Sequence, residues 1–234
     1  MKAWFETMDT SLWLPPDEQG EEEARFIRRA LRLRKGQSVL DAPCGAGRIA
    51  VHLARSGCVV TGIDLREAFI KRARRRFRRS RLSGIFQVAD LRDLAVDGVF
   101  HGILNWFGSF GYFSEAENLD VLRRYVRALR PGGRLLIDAI NRERILRHFV
   151  AEQRTENVIT RCSWDADAQR VIARRTIDGV DDPRNMSSMR LYTPAQMKRL
   201  LSSVGLTVER LCGSHHGDAY TRSSRRMIVV GRKT

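Results

Sequence analysis

The sequence has few cysteines and no long apolar stretch. Its four cysteines (Cys44, Cys58, Cys162 and Cys212) lie far apart and include no C-x-x-C pair, which argues against a structural zinc site or a disulfide framework. No stretch approaches the roughly 20 consecutive apolar residues of a transmembrane helix, and the first residues lack the apolar segment of a signal peptide. We therefore expect a reduced, cytoplasmic protein with no membrane partner and no bound metal.

Lysine is also scarce, with 5 lysines against 37 arginines in 234 residues and a formal net charge of +15. A charge of this size suggests nucleic acid as a partner. A GC-rich genome, however, produces the same excess of arginine without selection for binding. Apolar residues make up 43% of the chain, enough for the core of a single α/β domain.

Strand and helix alternate along the first two thirds of the chain. Short apolar runs predict strands at residues 38–41, 58–63, 85–88, 100–107 and 134–140, with helices between them. This alternation is typical of a parallel, doubly wound sheet. Beyond residue 150 we expect two or three antiparallel strands, a helix over 194–204 and closing strands at 206–211 and 227–230.

A carboxylate and a glycine turn follow the first strand, in the run Asp41-Ala42-Pro43-Cys44-Gly45-Ala46-Gly47. The glycines allow close approach of a ligand before a helix begins, although G-x-G-x-x-A alone also fits a dinucleotide. Asp64 and Asp90 end the next two strands, where they are placed for two ribose hydroxyls and an adenine amine. S-adenosylmethionine fits this combination better than NAD.

Four motifs, in this order, resemble those of the class I S-adenosylmethionine-dependent methyltransferases. Residues 39–47 resemble the glycine motif, 62–65 the acidic motif, 88–91 the adenine motif and 129–135 the turn into the fifth strand. There are two departures: Pro43 replaces the first glycine, and His101 replaces an aspartate in the fourth strand.

The resemblance implies a single methyltransferase domain built on a seven-stranded, mostly parallel, Rossmann-like sheet. It divides the chain into an N-terminal helical cap (1–35), a cofactor-binding core (36–140), an antiparallel lid insertion (150–192) and closing elements (193–234). The cofactor is then S-adenosyl-L-methionine, with S-adenosyl-L-homocysteine as product. The implied cofactor contacts are Asp41, Ala42, Pro43, Cys44, Gly45, Gly47, Asp64, Leu65, Asp90, Leu91, Asn105 and Trp106.

Residues 104–113 narrow the resemblance to small-molecule enzymes of the sugar N-methyltransferase and glycine N-methyltransferase type. There this segment lies between the methyl group and the acceptor. Phe107 and Phe113 alone also fit an ordinary aromatic core strand, but the Gly/Ser-rich turn does not. The predicted acceptor contacts are Trp4, Ser109, Phe110, Tyr112, His215, Tyr220 and Arg225, and no catalytic group is predicted.

We therefore expect N- or O-methylation of a small molecule by a monomer or homodimer. The alternatives are an RNA methyltransferase that uses the arginine-rich surface, and a cofactor-binding module without catalysis. Neither the N-P-P-Y signature of adenine methylation nor the paired cysteines of cytosine C5 chemistry are present. The arginine-rich helix at 71–81 is expected to be solvated and far from the strand ends. Residues 4–13 and 150–192 are expected to close over the edge that carries Asp41, Asp64 and Asn105.

Overall fold

The computed structural model of the protein describes residues 17–234. The predictions for Trp4 and for residues 4–13 lie outside these described residues. A short 3-10 turn at Asp17–Gln19 leads into helix α1 (Gly20–Ala30), whose first turn carries three glutamates and whose last turn carries two arginines. This charge distribution complements the helix dipole at both ends.

Strands and helices alternate over the predicted core. They are β1 (Ser38–Asp41), α2 (Arg48–Arg55), β2 (Val59–Asp64), α3 (Glu67–Arg79), β3 (Ile85–Val88), β4 (Phe100–Asn105), α4 (Glu115–Ala128) and β5 (Leu129–Ile140). Helix α4 begins with a capping box between Ser114 and Glu117, which satisfies free N–H groups of its first turn.

The remaining elements build an insertion and close the sheet. They are α5 (Arg142–Arg147), β6 (Glu152–Arg154), β7 (Val158–Asp165), β8 (Arg170–Ile177), β9 (Val180–Arg190), α6 (Pro194–Ser203), β10 (Leu206–Cys212) and β11 (Arg226–Lys233).

Seven strands form the main sheet, in the order β10-β11-β5-β4-β1-β2-β3. Strand β11 runs antiparallel to both of its neighbours, and the other strand pairs are parallel. The prediction of a seven-stranded, mostly parallel sheet is confirmed. Strand β1 lies between β2 and β4, so the connections leave it in opposite directions, and ligands bind at such a point in open α/β sheets.

The central strands β1 and β4 are buried on both faces, which explains their mostly apolar sequences. Val39 packs with residues of α1, α2 and α3 on one face, whereas its neighbour Leu40 packs with residues of α4 and α6 on the other. On α3, Ala73 and Phe77 face the sheet as their helical spacing predicts. Within residues 17–234 no helix is long and apolar enough to span a membrane.

The insertion differs from the prediction in detail. Its sheet, which we call the insertion sheet, has four antiparallel strands in the order β6-β7-β8-β9, where two or three were expected. Strand β6 has only exposed residues and α5 has no buried ones, so neither carries the apolar periodicity that predicts an element. Strand β5 begins at Leu129, earlier than predicted, because residues around the Gly132 turn continue the strand across a register shift.

Candidate cofactor and acceptor site

The carboxyl ends of β1 and β2 form the centre of the site. Asp41 ends β1 and Asp64 ends β2, on parallel strands that are hydrogen-bonded neighbours. The turn between β1 and α2 returns to β2, because the Gly45 N–H donates to Asp64 Oδ2 at 2.9 Å and the Cys44 N–H donates to the Ile63 carbonyl at 2.8 Å. The sequence thus places two carboxylates and a glycine turn around one point.

The second glycine of this turn is required by the fold. Gly47 precedes α2 with a φ of +74°, and a Cβ there would lie 3.0 Å from the Cβ of Ala73 on α3. A side chain at this position is therefore disfavoured by both conformation and space. Gly47 allows α2 and α3 to pack closely behind the turn.

A cavity of about 720 Å³ opens at this edge of the sheet. Its volume lies in the range of sites for small molecules and cofactors. The turn after β1, the ends of β2 and β3, helix α3 and the loop after β4 contribute its walls. Its lining includes Asp41, Pro43, Cys44, Gly45, Ala46, Arg48, Asp64, Leu65, Arg66, Phe69, Asp90, Leu91, Trp106, Phe107, Ser109, Tyr112 and Phe113.

Electrostatics at the cavity favour a cation. Burial raises the pKa of Asp41 to about 8, with a further increase from Asp64 and a partial decrease from Arg48. The pKa of Asp64 is also raised by burial, despite hydrogen bonds from the Gly45 and Arg66 N–H groups. Among residues 17–234 no donor lies within hydrogen-bonding distance of the Asp41 carboxylate. A cationic ligand supplies the missing counter-charge, and S-adenosylmethionine, with its sulfonium and ammonium groups, fits this requirement.

Asp90 provides a third carboxylate at the end of β3. Its Oδ1 accepts the Arg92 N–H at 3.0 Å and caps a 3-10 turn at Leu91–Asp93. The Arg92 guanidinium also bonds Glu117 at 2.6 Å and lies 4.7 Å from the ring centroid of Phe113. Asp90 is therefore held in place by an ion-pair network that also anchors the start of α4.

The loop after β4, residues 106–113, lines the opposite side of the cavity and is called here the aromatic loop. Phe107 has a φ of +63° and is 44% exposed. Its N–H donates to Asp138 Oδ2 at 2.8 Å, and Arg226 forms an ion pair with the same carboxylate. Arg48 and Arg226 lie 5.9 and 5.2 Å from the centroid of the Phe107 ring. An unusual backbone conformation thus holds an aromatic ring in the cavity.

A buried glutamate supports the start of this loop. Glu23 of α1 pairs with Arg48, accepts the Trp106 Nε1–H at 3.1 Å and lies 3.7 Å from Arg226. Glu23 and Arg48 are both almost fully buried, so their charges are compensated inside the protein. Helix α1 therefore supports the cavity wall from behind, through its bonds to the lining residues Arg48 and Trp106.

Arg170 of β8 fastens the aromatic loop to the insertion sheet. Its guanidinium donates to the carbonyl oxygens of Gly111, Tyr112, Phe113 and Ser188 at 3.0 to 3.2 Å. The Arg190 N–H adds a 2.8 Å bond to the Gly111 carbonyl. On the same side, Ala46, Phe69 and Tyr112 of the cavity wall pack against residues of β9 and the segment that follows it.

Nine of the twelve predicted cofactor contacts line the cavity. These are Asp41, Pro43, Cys44, Gly45, Asp64, Leu65, Asp90, Leu91 and Trp106. Ala42 and Asn105 are fully buried outside the lining, and the Asn105 amide donates to the Ala42 carbonyl at 3.0 Å. Gly47 also lies outside the lining, where it allows α2 to pack on α3.

Of the predicted acceptor contacts, Ser109 and Tyr112 line the cavity. Phe110 does not, because its ring packs on Tyr192 with a centroid separation of 5.6 Å. The Tyr220 hydroxyl bonds Asn141 and Glu143, and His215 lies beside Glu22. Neither residue lines the cavity, and neither does Arg225.

Other lining residues were missed or misplaced by the sequence analysis. Phe107 and Phe113, which fitted a core strand, both line the cavity. The arginine-rich helix is not remote from the site, because its residues Arg72, Arg75, Arg76 and Arg79 belong to the lining. The apolar stripe of α3 faces the sheet, and the adjacent face of the helix, which carries these arginines, borders the cavity. Glu23 has no local sequence signal, since its partners come from α2 and the aromatic loop.

Comparison with known proteins agrees with this geometry. Residues 39–133 match the family model described as a methyltransferase domain. A ubiquinone biosynthesis O-methyltransferase from Coxiella burnetii is 28% identical over 118 residues, which cover 50% of this chain and 49% of that protein. The chain thus spans about half the length of the curated relatives it matches.

Two solved structures cover nearly the whole chain. The CcbJ methyltransferase from Streptomyces caelestis has a TM-score of 0.78 at 18% identity and covers 100% of this chain and 98% of that one. The sugar N-methyltransferase KedS8 from Streptoalloteichus sp. ATCC 53650 has a TM-score of 0.67 at 24% identity, with 92% and 87% covered. At these identities the likeness establishes the fold.

The fold and the site define an α/β domain that binds a ligand at the carboxyl ends of β1 and β2. Residues 39–133 match a methyltransferase domain, and residues 17–234 have the fold of the solved methyltransferase structures. The resemblance seen in the sequence is confirmed.

Proposed function

We propose that this protein transfers the methyl group of S-adenosyl-L-methionine to a small-molecule acceptor, by N- or O-methylation. The observation that carries the proposal is the pair of buried carboxylates, Asp41 and Asp64, on the wall of a cavity of about 720 Å³. In a chain of net charge +15, these groups supply local negative charge where a cationic cofactor needs it.

Three carboxylates divide the recognition of the cofactor. Each Asp64 oxygen accepts one backbone N–H and retains a lone pair for a ribose hydroxyl. Asp90, fixed by Arg92, is assigned to the adenine amine. Asp41, which has no donor of its own among the described residues, faces the cationic part of the cofactor.

When bound, the cofactor supplies an electrophilic methyl group on a positively charged sulfur, which an acceptor attacks in line. No covalent protein intermediate is needed, so the residues act by binding, orienting and excluding water. Holding two reactants at attack distance contributes up to roughly 7–11 kcal/mol in favourable systems. We assign the positioning of the acceptor to Phe107, Ser109 and Tyr112 of the aromatic loop, which line the cavity.

The insertion sheet acts, in this proposal, as the cover of the acceptor end. Support comes from the bonds of Arg170 to the aromatic loop and from the packing of Met189 and Leu191 on Tyr112. Such a cover excludes water from the reacting groups. A cytoplasmic location is part of the same proposal and rests on the low cysteine count.

A small acceptor is favoured over RNA. The relatives named above are named for ubiquinone biosynthesis and for a sugar, and they give no support to RNA methylation. The arginines of α3 that line the cavity lie beside the proposed cofactor pocket, so nucleic acid binding is not needed to account for their position.

The experiment is a screen of methyl transfer from labelled S-adenosylmethionine into metabolite fractions and total RNA, each assayed separately. We expect label in a small-molecule fraction, with at least a tenfold loss for Asp64→Ala at limiting cofactor. Asp93→Ala, an exposed carboxylate near the site, serves as the matched control and is expected to keep its activity. Label confined to RNA, or no transfer by a protein that binds the cofactor product, would contradict the proposal.

A further inference from the structure

Two histidines and a glutamate converge where α1 meets the connection between β10 and β11. His216 Nδ1 lies 3.1 Å from Glu22 Oε1, and His215 Nε2 lies 3.8 Å from Glu22 Oε2. One ligand atom from each of the three side chains lies within 4.8 Å of the other two. In the part of the chain that the structure describes, this is the one set of three His, Cys, Asp or Glu side chains with such a spacing.

Both sides of this cluster are held by local structure. Ser214 Oγ accepts the His216 N–H at 3.1 Å and bonds Asp218, and the Gly213 N–H donates to the Asp218 carbonyl at 2.8 Å. Hydrogen bonds within residues 213–218 therefore fix the turn that carries the two histidines. On the other side, Glu22 precedes the buried Glu23 in the first turn of α1. The three donor side chains thus project from fixed backbone.

The donor set has the chemistry of a transition-metal site. Imidazole nitrogens and a carboxylate oxygen bind Zn²⁺ at about 2.0–2.2 Å, which separates adjacent ligand atoms around a tetrahedral ion by about 3.4 Å. The two observed separations, 3.1 Å to Oε1 of Glu22 and 3.8 Å to its Oε2, lie on either side of this value. The two imidazole rings lie side by side, with their centroids 4.2 Å apart.

The exposure of the cluster also suits an ion that enters from solvent. The His215 side chain is 13% exposed, whereas those of His216 and Glu22 are about half exposed. The site is therefore partly enclosed but accessible.

We propose that Glu22, His215 and His216 bind one divalent transition-metal ion of the zinc class and so fasten α1 to the β10–β11 connection. The sequence offers no such site, because the third ligand comes from a helix at the other end of the chain. The next residue of that helix, Glu23, bonds Arg48 and Trp106 at the cavity wall. The ion therefore stabilises the wall from outside and takes no part in methyl transfer.

The test is calorimetric titration of the full chain, freed of any affinity tag and of bound metal, with ZnCl₂ alone. We expect one equivalent to bind, and an increase in melting temperature that chelation reverses. Glu22→Gln and His216→Ala each weaken binding at least about 10-fold, the loss that even outer-shell changes cause in zinc sites. Glu21→Gln, the exposed neighbour on α1, and His148→Gln, an exposed histidine elsewhere, are matched controls that retain it.

The same titration with Co²⁺ separates this site from the four free cysteines. We expect a cobalt spectrum without a thiolate charge-transfer band, lost in Glu22→Gln and kept in Glu21→Gln. Absence of stoichiometric binding, a thiolate band, or equal affinity in wild type and Glu22→Gln would each overturn the proposal. None of these readouts depends on methyltransferase activity.

Discussion

Asp41→Asn is predicted to stabilise the ligand-free protein at neutral and higher pH. Burial raises the pKa of Asp41 from 3.8 to about 8 in the folded chain. Between these values the folded protein binds more protons than the unfolded chain, so its free energy of unfolding falls as the pH rises from about 4 to about 8. Below about pH 4 Asp41 is protonated in both the folded and the unfolded chain, and the free energy of unfolding has its full value. Above about pH 8 Asp41 is ionised in both, and the decrease in the free energy of unfolding is complete.

The magnitude follows from the width of that window. About four pH units at about 1.36 kcal/mol each set an upper limit of roughly 5 kcal/mol on the loss at pH 8. Asparagine has nearly the same shape and no charge, so the free energy of unfolding of the variant does not decrease in this way as the pH rises. The difference in free energy of unfolding between variant and wild type is therefore expected to grow in favour of the variant, by up to this amount, between pH 4 and pH 8.

The assay is urea unfolding of both proteins at pH 4, 6 and 8 without cofactor. The matched control is Asp93→Asn, at an exposed carboxylate, for which we expect no comparable pH-dependent gain. Asp41→Asn is also expected to weaken binding of the cofactor product, since the negative charge is lost. A stability difference that stays constant from pH 4 to pH 8 would refute the assignment of Asp41 as a buried, uncompensated acid.

Three further predictions concern the cavity and its walls. Binding of S-adenosylhomocysteine at pH 7 is expected to release close to one proton, because the ligand ammonium favours ionised Asp41. Calorimetry in two buffers of different ionisation enthalpy measures the number of protons released. Zero release would argue against a contact between Asp41 and the ammonium group. Arg170→Lys keeps the charge but loses the planar guanidinium that holds three carbonyl groups of the aromatic loop. We therefore expect kcat to fall about 10-fold or more, with little change in cofactor affinity. Arg174→Lys, at an exposed position of the same strand, should change neither kcat nor cofactor affinity. Gly111→Ala places a Cβ 2.4 Å from a carbonyl oxygen of β9 at a φ of +107°, so thermal unfolding should show a free energy of unfolding lower by about 2 kcal/mol. Gly179→Ala, also at positive φ but with no atom within 4 Å, should lower the free energy of unfolding by less. Equal decreases in the two variants would exclude a steric cause.

The centre of the site was predictable because it depends on strand ends. Asp41, Asp64 and Asp90 each follow a recognisable apolar strand, and parallel strands bring their carboxyl ends to one edge. The glycine turn is equally local, since Gly45 and Gly47 lie within a few residues of Asp41. Position along the chain therefore sufficed for these residues.

Side-chain direction was harder to predict. Asn105 is the last residue of β4 and Trp106 follows it directly. Both were predicted to contact the cofactor, but consecutive residues of extended backbone point to opposite sides. The structure turns Trp106 to the cavity and Asn105 to the carbonyl of Ala42. Phe110 and Tyr112 lie in the aromatic loop, where no strand alternation applies, and there Phe110 packs on Tyr192 whereas Tyr112 lines the cavity.

The supporting groups could not be predicted from local patterns at all. Glu23 meets Arg48 and Trp106 only after α1 has packed against α2 and the aromatic loop. Arg170 lies in the insertion sheet, and its bonds to the loop carbonyls depend on how that sheet docks. Such contacts join distant segments, and a single sequence holds no signal for them.

Cofactor binding by the carboxylates at the strand ends is tested most directly by calorimetric titration of S-adenosylhomocysteine into the wild-type protein and Asp64→Ala. We predict binding at a single site in the wild type and a loss of roughly 1.5–3 kcal/mol in the variant, because a charged acceptor of the ribose hydroxyls is removed. The melting temperature of the variant should change little, and NAD should give no heat with either protein. Equal affinity of the two proteins for S-adenosylhomocysteine would show that Asp64 does not bind the cofactor.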